Sequence, residues 1–180
     1  MKSYQTLAHL YALGLGCGLW NREEVISWCD RLIEASDHPP YEIMEISLMS
    51  KAKLIYIESA LLSYSRIVDE KPLVNILLSV LNEKLVAQKW NIKQAITCST
   101  RLLVNRGLYW EEEYFDLYSL NDSYDLAQEG IHFNEKDVIS AYIDTLDVFR
   151  IHFNEFEDLY LQVMKQKWQG ERAGKRIIES

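Results

Sequence analysis

The pentapeptide Ile-His-Phe-Asn-Glu occurs twice, at 131–135 and 151–155, and each copy sets a histidine three residues before a glutamate: His132 with Glu135, His152 with Glu155. Imidazole and carboxylate together are ligands for zinc, iron or manganese, and carboxylate-bridged two-metal bundles combine such pairs with glutamates from neighbouring helices. Those bundles read Glu-x-x-His, however, and here the order is reversed. A helix of about 18 residues between the copies would also span roughly 27 Å and separate the two histidines. The simpler reading is structural. Each Asn is followed by acids, Glu135 and Asp137 in one copy and Glu155, Glu157 and Asp158 in the other. That is the composition of a helix start, where Asn accepts from an open backbone N–H and carboxylates oppose the positive end of the dipole. Both copies are therefore expected to begin helices, with Ile and Phe anchoring the chain. No metal or cofactor is expected, and a helical-bundle metalloprotein or enzyme using these segments stands as the alternative.

The remaining nucleophiles and loops offer little chemistry. Cys17, Cys29 and Cys98 are odd in number and spaced too widely for a zinc site, so reduced thiols in a core are expected. Neither a G-x-S-x-G elbow nor an H-E-x-x-H pair occurs, and Gly14, Gly16 and Gly18 lack the spacing of a phosphate loop. The chain is not expected to be an enzyme.

Apolar residues recur at helical spacing almost throughout, and Gly and Pro number only seven and three. The pattern predicts an all-α protein, an irregular bundle of about eight helices. A first helix over Ser3–Leu13 should be stopped by the glycines at 14, 16 and 18. Asn21 with Glu24 predicts a capping box, and Trp20 a staple, for a second helix reaching Ser36. Pro39-Pro40 ends it and starts a third, to Ser50. Lys53–Ile67 reads as a mostly buried helix, and further helices follow at 71–89 and from Asn91 to Gly107. The last third reads as a helix from Trp110 to Leu120 that pauses at Asn121-Asp122-Ser123 and continues weakly to Gly130, then helices at 135–151 and 155–168. A single domain is expected over 1–170, with 171–180 a frayed tail. Gly18–Ile26 and Gly107–Phe115 share a G-L-aromatic-x-x-E-E-apolar-apolar pattern, which would suit stacked helix pairs from two related halves.

Leu10–Trp20 is an apolar run, but it lacks a basic start and a small-x-small cleavage site, and it falls short of the roughly 18 residues of a membrane span. A cytoplasmic protein is expected.

Charge gives the clearest functional hint. The net charge is −8, yet Glu111 to Tyr160 holds fourteen acidic residues against Lys136 and Arg150, a local −12. Nucleic acid is excluded as a partner for such a surface, since binding it depends on Lys and Arg neutralising phosphates. Within this segment Tyr109, Trp110, Tyr114, Tyr118 and Tyr124 alternate with Glu111, Glu112, Glu113, Asp116, Asp122 and Asp125. Rings supply contact area and carboxylates supply steering, so these residues are predicted to bind a basic protein. Exposed rings would also suit a homo-oligomer.

Leu15-Gly16-Cys17-Gly18-Leu19-Trp20-Asn21-Arg22-Glu23-Glu24-Val25-Ile26-Ser27-Trp28-Cys29-Asp30, followed by Pro39-Pro40-Tyr41-Glu42-Ile43-Met44-Glu45-Ile46-Ser47-Leu48, resembles the opening of small acidic bacterial proteins. Some of these are grouped with immunity proteins of contact-dependent or polymorphic toxin systems. The resemblance covers residues 15–48 of 180 and consists of helix starts and core positions. It implies a cytoplasmic bacterial protein that binds and neutralises a toxin domain, and it carries over no site residues.

Overall fold

Two Trp-Asn pairs punctuate the chain in the same way. In the computed structural model, which describes residues 2–67 and 69–164, Asn21 accepts from the Glu24 backbone N–H at 2.9 Å while the Glu24 carboxylate accepts from the Asn21 N–H at 2.7 Å. Asn91 and Gln94 repeat the reciprocal bonds at 2.9 and 3.0 Å. Each box satisfies two backbone donors that a helix start leaves open. The box at Asn21 is the one the sequence predicts. Its twin after Trp90 is easily missed, because Gln there replaces Glu.

The described residues form an all-α protein with no strand among them. In order the helices are α1 (Lys2–Cys17), α2 (Arg22–Ala35), α3 (Tyr41–Ser47), α4 (Leu54–Ser65), α5 (Lys71–Val86), α6 (Ile92–Arg106), α7 (Glu112–Gln128) and α8 (Glu135–Asp147). A 3-10 turn follows at Val148–His152, and residues 153–164 are helical again. The end of the last predicted helix and the predicted tail at 171–180 lie outside the described residues. Among the described residues no helix is long and apolar enough to cross a membrane.

The described residues cluster into two compact units: residues 2–15, 20–67 and 157–164 in the first, and Gly16–Leu19 with Asp69–Phe156 in the second. In the first, α1 is apolar nearly all round and buries Leu7, Leu10, Tyr11 and Leu13, and α2 adds Val25, Trp28, Cys29 and Leu32. Tyr11 stacks on Trp28 at 4.3 Å and meets Trp20 at 4.5 Å. In the second, α5 is the central element. Its run Leu73-Val74 and Ile76 to Leu81 is buried, and it packs on α6, α8 and the 3-10 turn.

Several boundaries differ from the sequence reading. α1 runs through Gly14 and Gly16 and ends only at Gly18, whose φ of 88° turns the chain. Gly14 instead serves packing: a Cβ there would lie 2.0 Å from Trp20 Cε3. α7 does not pause at Asn121-Asp122-Ser123. Its Ser119 and Ser123 hydroxyls donate to the carbonyls of Asp116 and Ser119, so these polar side chains find partners inside the helix. α4 buries one stripe, Ile57 and Leu61, and leaves Leu54, Ile55 and Tyr56 exposed, so it is not the mostly buried helix that its apolar content suggests.

Candidate functional site

The acidic, aromatic segment lies in the second unit and starts from the turn between α6 and α7. Gly107 takes a φ of 69° and closes α6, with Leu108 N–H donating to the Leu103 carbonyl at 2.9 Å. Glycine enters this left-handed conformation without a Cβ clash, which ends the helix cleanly. The Gly107 carbonyl then accepts from Trp110 Nε1 at 2.6 Å. That bond holds an indole that is 75% exposed. Tyr109 meets Tyr118 in a tilted ring contact at 5.2 Å, with Tyr109 exposed and Tyr118 half-buried.

α7 then sorts its residues by periodicity. Tyr114, Leu117 and Tyr124 are buried. At 100° per residue, Glu112, Phe115, Asp116, Asp122 and Leu126 fall within an arc of about 120° on the other side, and all five are exposed. Asp125 is exposed on the flank. Phe115, more than half exposed at 54%, belongs to this face although the alternation of rings and acids did not single it out. Its spacing of three from Glu112 and seven from Asp122 was the signal that could have found it.

Two predicted ring anchors are therefore corrected. Tyr114 and Tyr124 are core residues, because both lie on the inward stripe of α7. Tyr114 is fully buried, donates its hydroxyl to Asn75 Oδ1 at 2.6 Å and stacks on Phe149 at 5.9 Å. Burial pushes its phenol well above the ordinary value, reinforced by the Glu113 carboxylate.

The six predicted carboxylates also divide. Glu111 and Glu113 converge on Lys71, whose Nζ lies 2.6 Å from Glu111 Oε2 and 3.1 Å from Glu113 Oε2. Asn75 Nδ2 donates to Glu113 Oε1 at 3.2 Å. Donating hydrogen bonds to the two glutamates holds the Lys71 ammonium above its ordinary pKa. These two carboxylates thus fasten the start of α7 to α5, and their charge is partly cancelled. Glu112, Asp116, Asp122 and Asp125 keep the outward field.

The two IHFNE copies part company. Asn134 accepts from the Lys136 backbone N–H at 2.9 Å and caps α8, as the sequence predicts, while His132 before it takes a φ of 64°. The second copy does not open a helix at Asn154. The chain passes from the 3-10 turn into helix by residue 153, so Asn154 is internal. There His152 Nδ1 lies 2.8 Å from Glu155 Oε1. Both residues line a cavity of about 350 Å³ together with Asp69, Lys71, Pro72 and Asn75. Among the described residues no three His, Cys, Asp or Glu side chains are grouped to hold a metal ion.

What this arrangement can do is present apolar ring faces beside negative charge on one side of α7 and its leading turn. No protein-family model, curated protein or solved structure matches the chain, so its functional reading rests on these residues.

Proposed function

We propose that the chain is a non-enzymatic protein-binding module of immunity type, acting in the cytoplasm, that masks a basic surface of a toxin domain or comparable partner. Trp110, Phe115 and Tyr109 are the anchors, and Glu112, Asp116, Asp122 and Asp125 steer the approach. The observation that carries this reading is Trp110, largely exposed yet held by a hydrogen bond to Gly107 beside the acidic face of α7. An indole fixed before contact gives up little side-chain freedom on binding, which is the economy found in interface hot spots. Carboxylates around it raise the encounter rate with a cationic protein and lose that effect as salt screens them.

The test is titration of the chain against the purified products of neighbouring genes. Trp110→Ala should weaken a genuine complex by roughly 30-fold, the worth of a hot spot of about 2 kcal/mol. Combined Glu112→Gln, Asp116→Asn and Asp122→Asn should slow association and flatten its salt dependence while leaving dissociation nearly unchanged. A partner bound equally well by both variants would overturn the proposal.

A further inference from the structure

Cys17 closes α1 and Cys98 lies within α6, 81 residues on in the chain, yet their sulfurs stand 3.5 Å apart. Both side chains are buried in the second unit, at 2% and 3% exposure. The short segment carrying Cys17 is held on either side. Asn105 Nδ2 donates to the Gly16 carbonyl at 3.5 Å, and Lys84 Nζ donates to the Leu19 carbonyl at 2.5 Å. Gly18 supplies the left-handed turn between them. The sulfur contact is thus set within the second unit, between α6 and the segment Gly16–Leu19. Closing it to the roughly 2.05 Å of an S–S bond needs a movement of about 1.5 Å.

Cys17 and Cys98 both line a cavity of about 370 Å³, with Gly18, Trp90, Lys93, Gln94, Thr97 and Arg101. Among the described residues Lys93 and Arg101 are its charged side chains, and no carboxylate lines it. Such a cavity admits a small anionic reagent. Arg101 and Lys84 favour the Cys98 thiolate, but its hydrogen bond with Cys17 and its burial outweigh them and hold the proton. Exchange at neutral pH is therefore slow, and the pair is read at equilibrium.

We propose that Cys17 and Cys98 form a reversible intramolecular disulfide by exchange with a small anionic disulfide of the glutathione type. One protein sulfur, deprotonated, attacks a sulfur of the small disulfide. A mixed S–S bond forms, the small molecule's own S–S bond breaks, and the released thiolate takes up a proton. The second protein sulfur then loses its proton and attacks the first, forming the protein S–S bond and releasing the second small thiol. The protein pair gives up two hydrogens and two electrons, and one small disulfide becomes two thiols. Bridging closes a long loop and removes freedom from the unfolded chain, so the oxidised protein is the more resistant to unfolding.

The experiment equilibrates the full chain with mixtures of reduced and oxidised glutathione, quenches with acid, alkylates after denaturation and weighs the intact chain. In one transition, two of the three thiols should become unreactive, the mass of the unalkylated chain should fall by two hydrogens with no glutathione retained, and peptide mapping should join Cys17 to Cys98. Cys29 should stay alkylatable, since it is fully buried and its thiol is pushed up to about 12 by that burial. The oxidised form should unfold at higher urea than the reduced form. Cys29→Ala should behave as the parent, and Cys17→Ala should lose both the bridge and the urea shift. Three reactive thiols in the most oxidising mixture, glutathione retained on the parent chain, or a bridge between two chains would each overturn the proposal.

Discussion

Replacing Gly14 by Ala sets two energies of known sign against each other. In the interior of a helix Ala is favoured over Gly by about 1 kcal/mol, and Gly14 is interior to α1. The new methyl, however, would lie 2.0 Å from Trp20 Cε3 and 2.3 Å from Cζ3. Carbon atoms in contact sit roughly 3.5–4.0 Å apart, so the indole must retreat by about 1.5 Å. Behind it stands Tyr11 at 4.5 Å, itself stacked on Trp28. Forcing that much volume into a packed core costs up to about 3 kcal/mol. Expelling the ring instead forfeits about 5 kcal/mol, from some 200 Å² of buried surface. After the helix gain, the net loss is about 2 to 4 kcal/mol. With a urea dependence of about 2 kcal/mol per M, the midpoint should fall by roughly 1 to 2 M, followed by circular dichroism and Trp fluorescence together. In a Trp20→Ala background the same substitution should change sign and stabilise by about 1 kcal/mol. A Gly14→Ala chain as stable as the parent would refute the packing argument.

Lys71→Met removes the ammonium shared by Glu111 and Glu113. Because the ion pair is open to solvent, thermal unfolding should hardly move, whereas association with a basic partner should quicken and become more salt-dependent. An unchanged rate across salt concentrations would place those two carboxylates outside the docking surface. Alkaline pH should destabilise the fold. Burial raises the phenols of Tyr11 and Tyr142 above their ordinary value, so their contribution is complete below about pH 10 and is lost as pH rises, when the unfolded chain sheds protons that the folded one retains. The slope is about 1.4 kcal/mol per pH unit for each phenol, and in Tyr142→Phe the share from that residue should vanish from urea midpoints measured at stepped pH.

The parts of this fold that were legible in the sequence are those decided within a few residues. Asn21 with Glu24 and Asn134 before its acids were readable because a cap is a contact between neighbours in the chain. The all-α class followed from periodicity, which is local as well. Gly14 was misread because its reason is an indole six residues later, beyond the turn. In the candidate site, the division of rings between core and surface was latent in helical geometry: Tyr114, Leu117 and Tyr124 recur on one side, and attention to residue type alone obscured it. No local pattern could reveal that Lys71 cancels part of the charge on Glu111 and Glu113, since that depends on α5 meeting the start of α7. The same holds for the approach of Cys17 to Cys98.

The bond from Trp110 Nε1 to the Gly107 carbonyl also limits what can be recognised there. The donor of the indole is already spent on its own backbone, so an incoming carbonyl or carboxylate has nothing to accept. What remains on offer is the π-face and the hydrocarbon edge, which suit an aliphatic chain or the flat side of a guanidinium. Discrimination at this position therefore acts by refusal: an arginine-bearing surface is accommodated, and an acceptor-rich one meets a site that gives it no hydrogen.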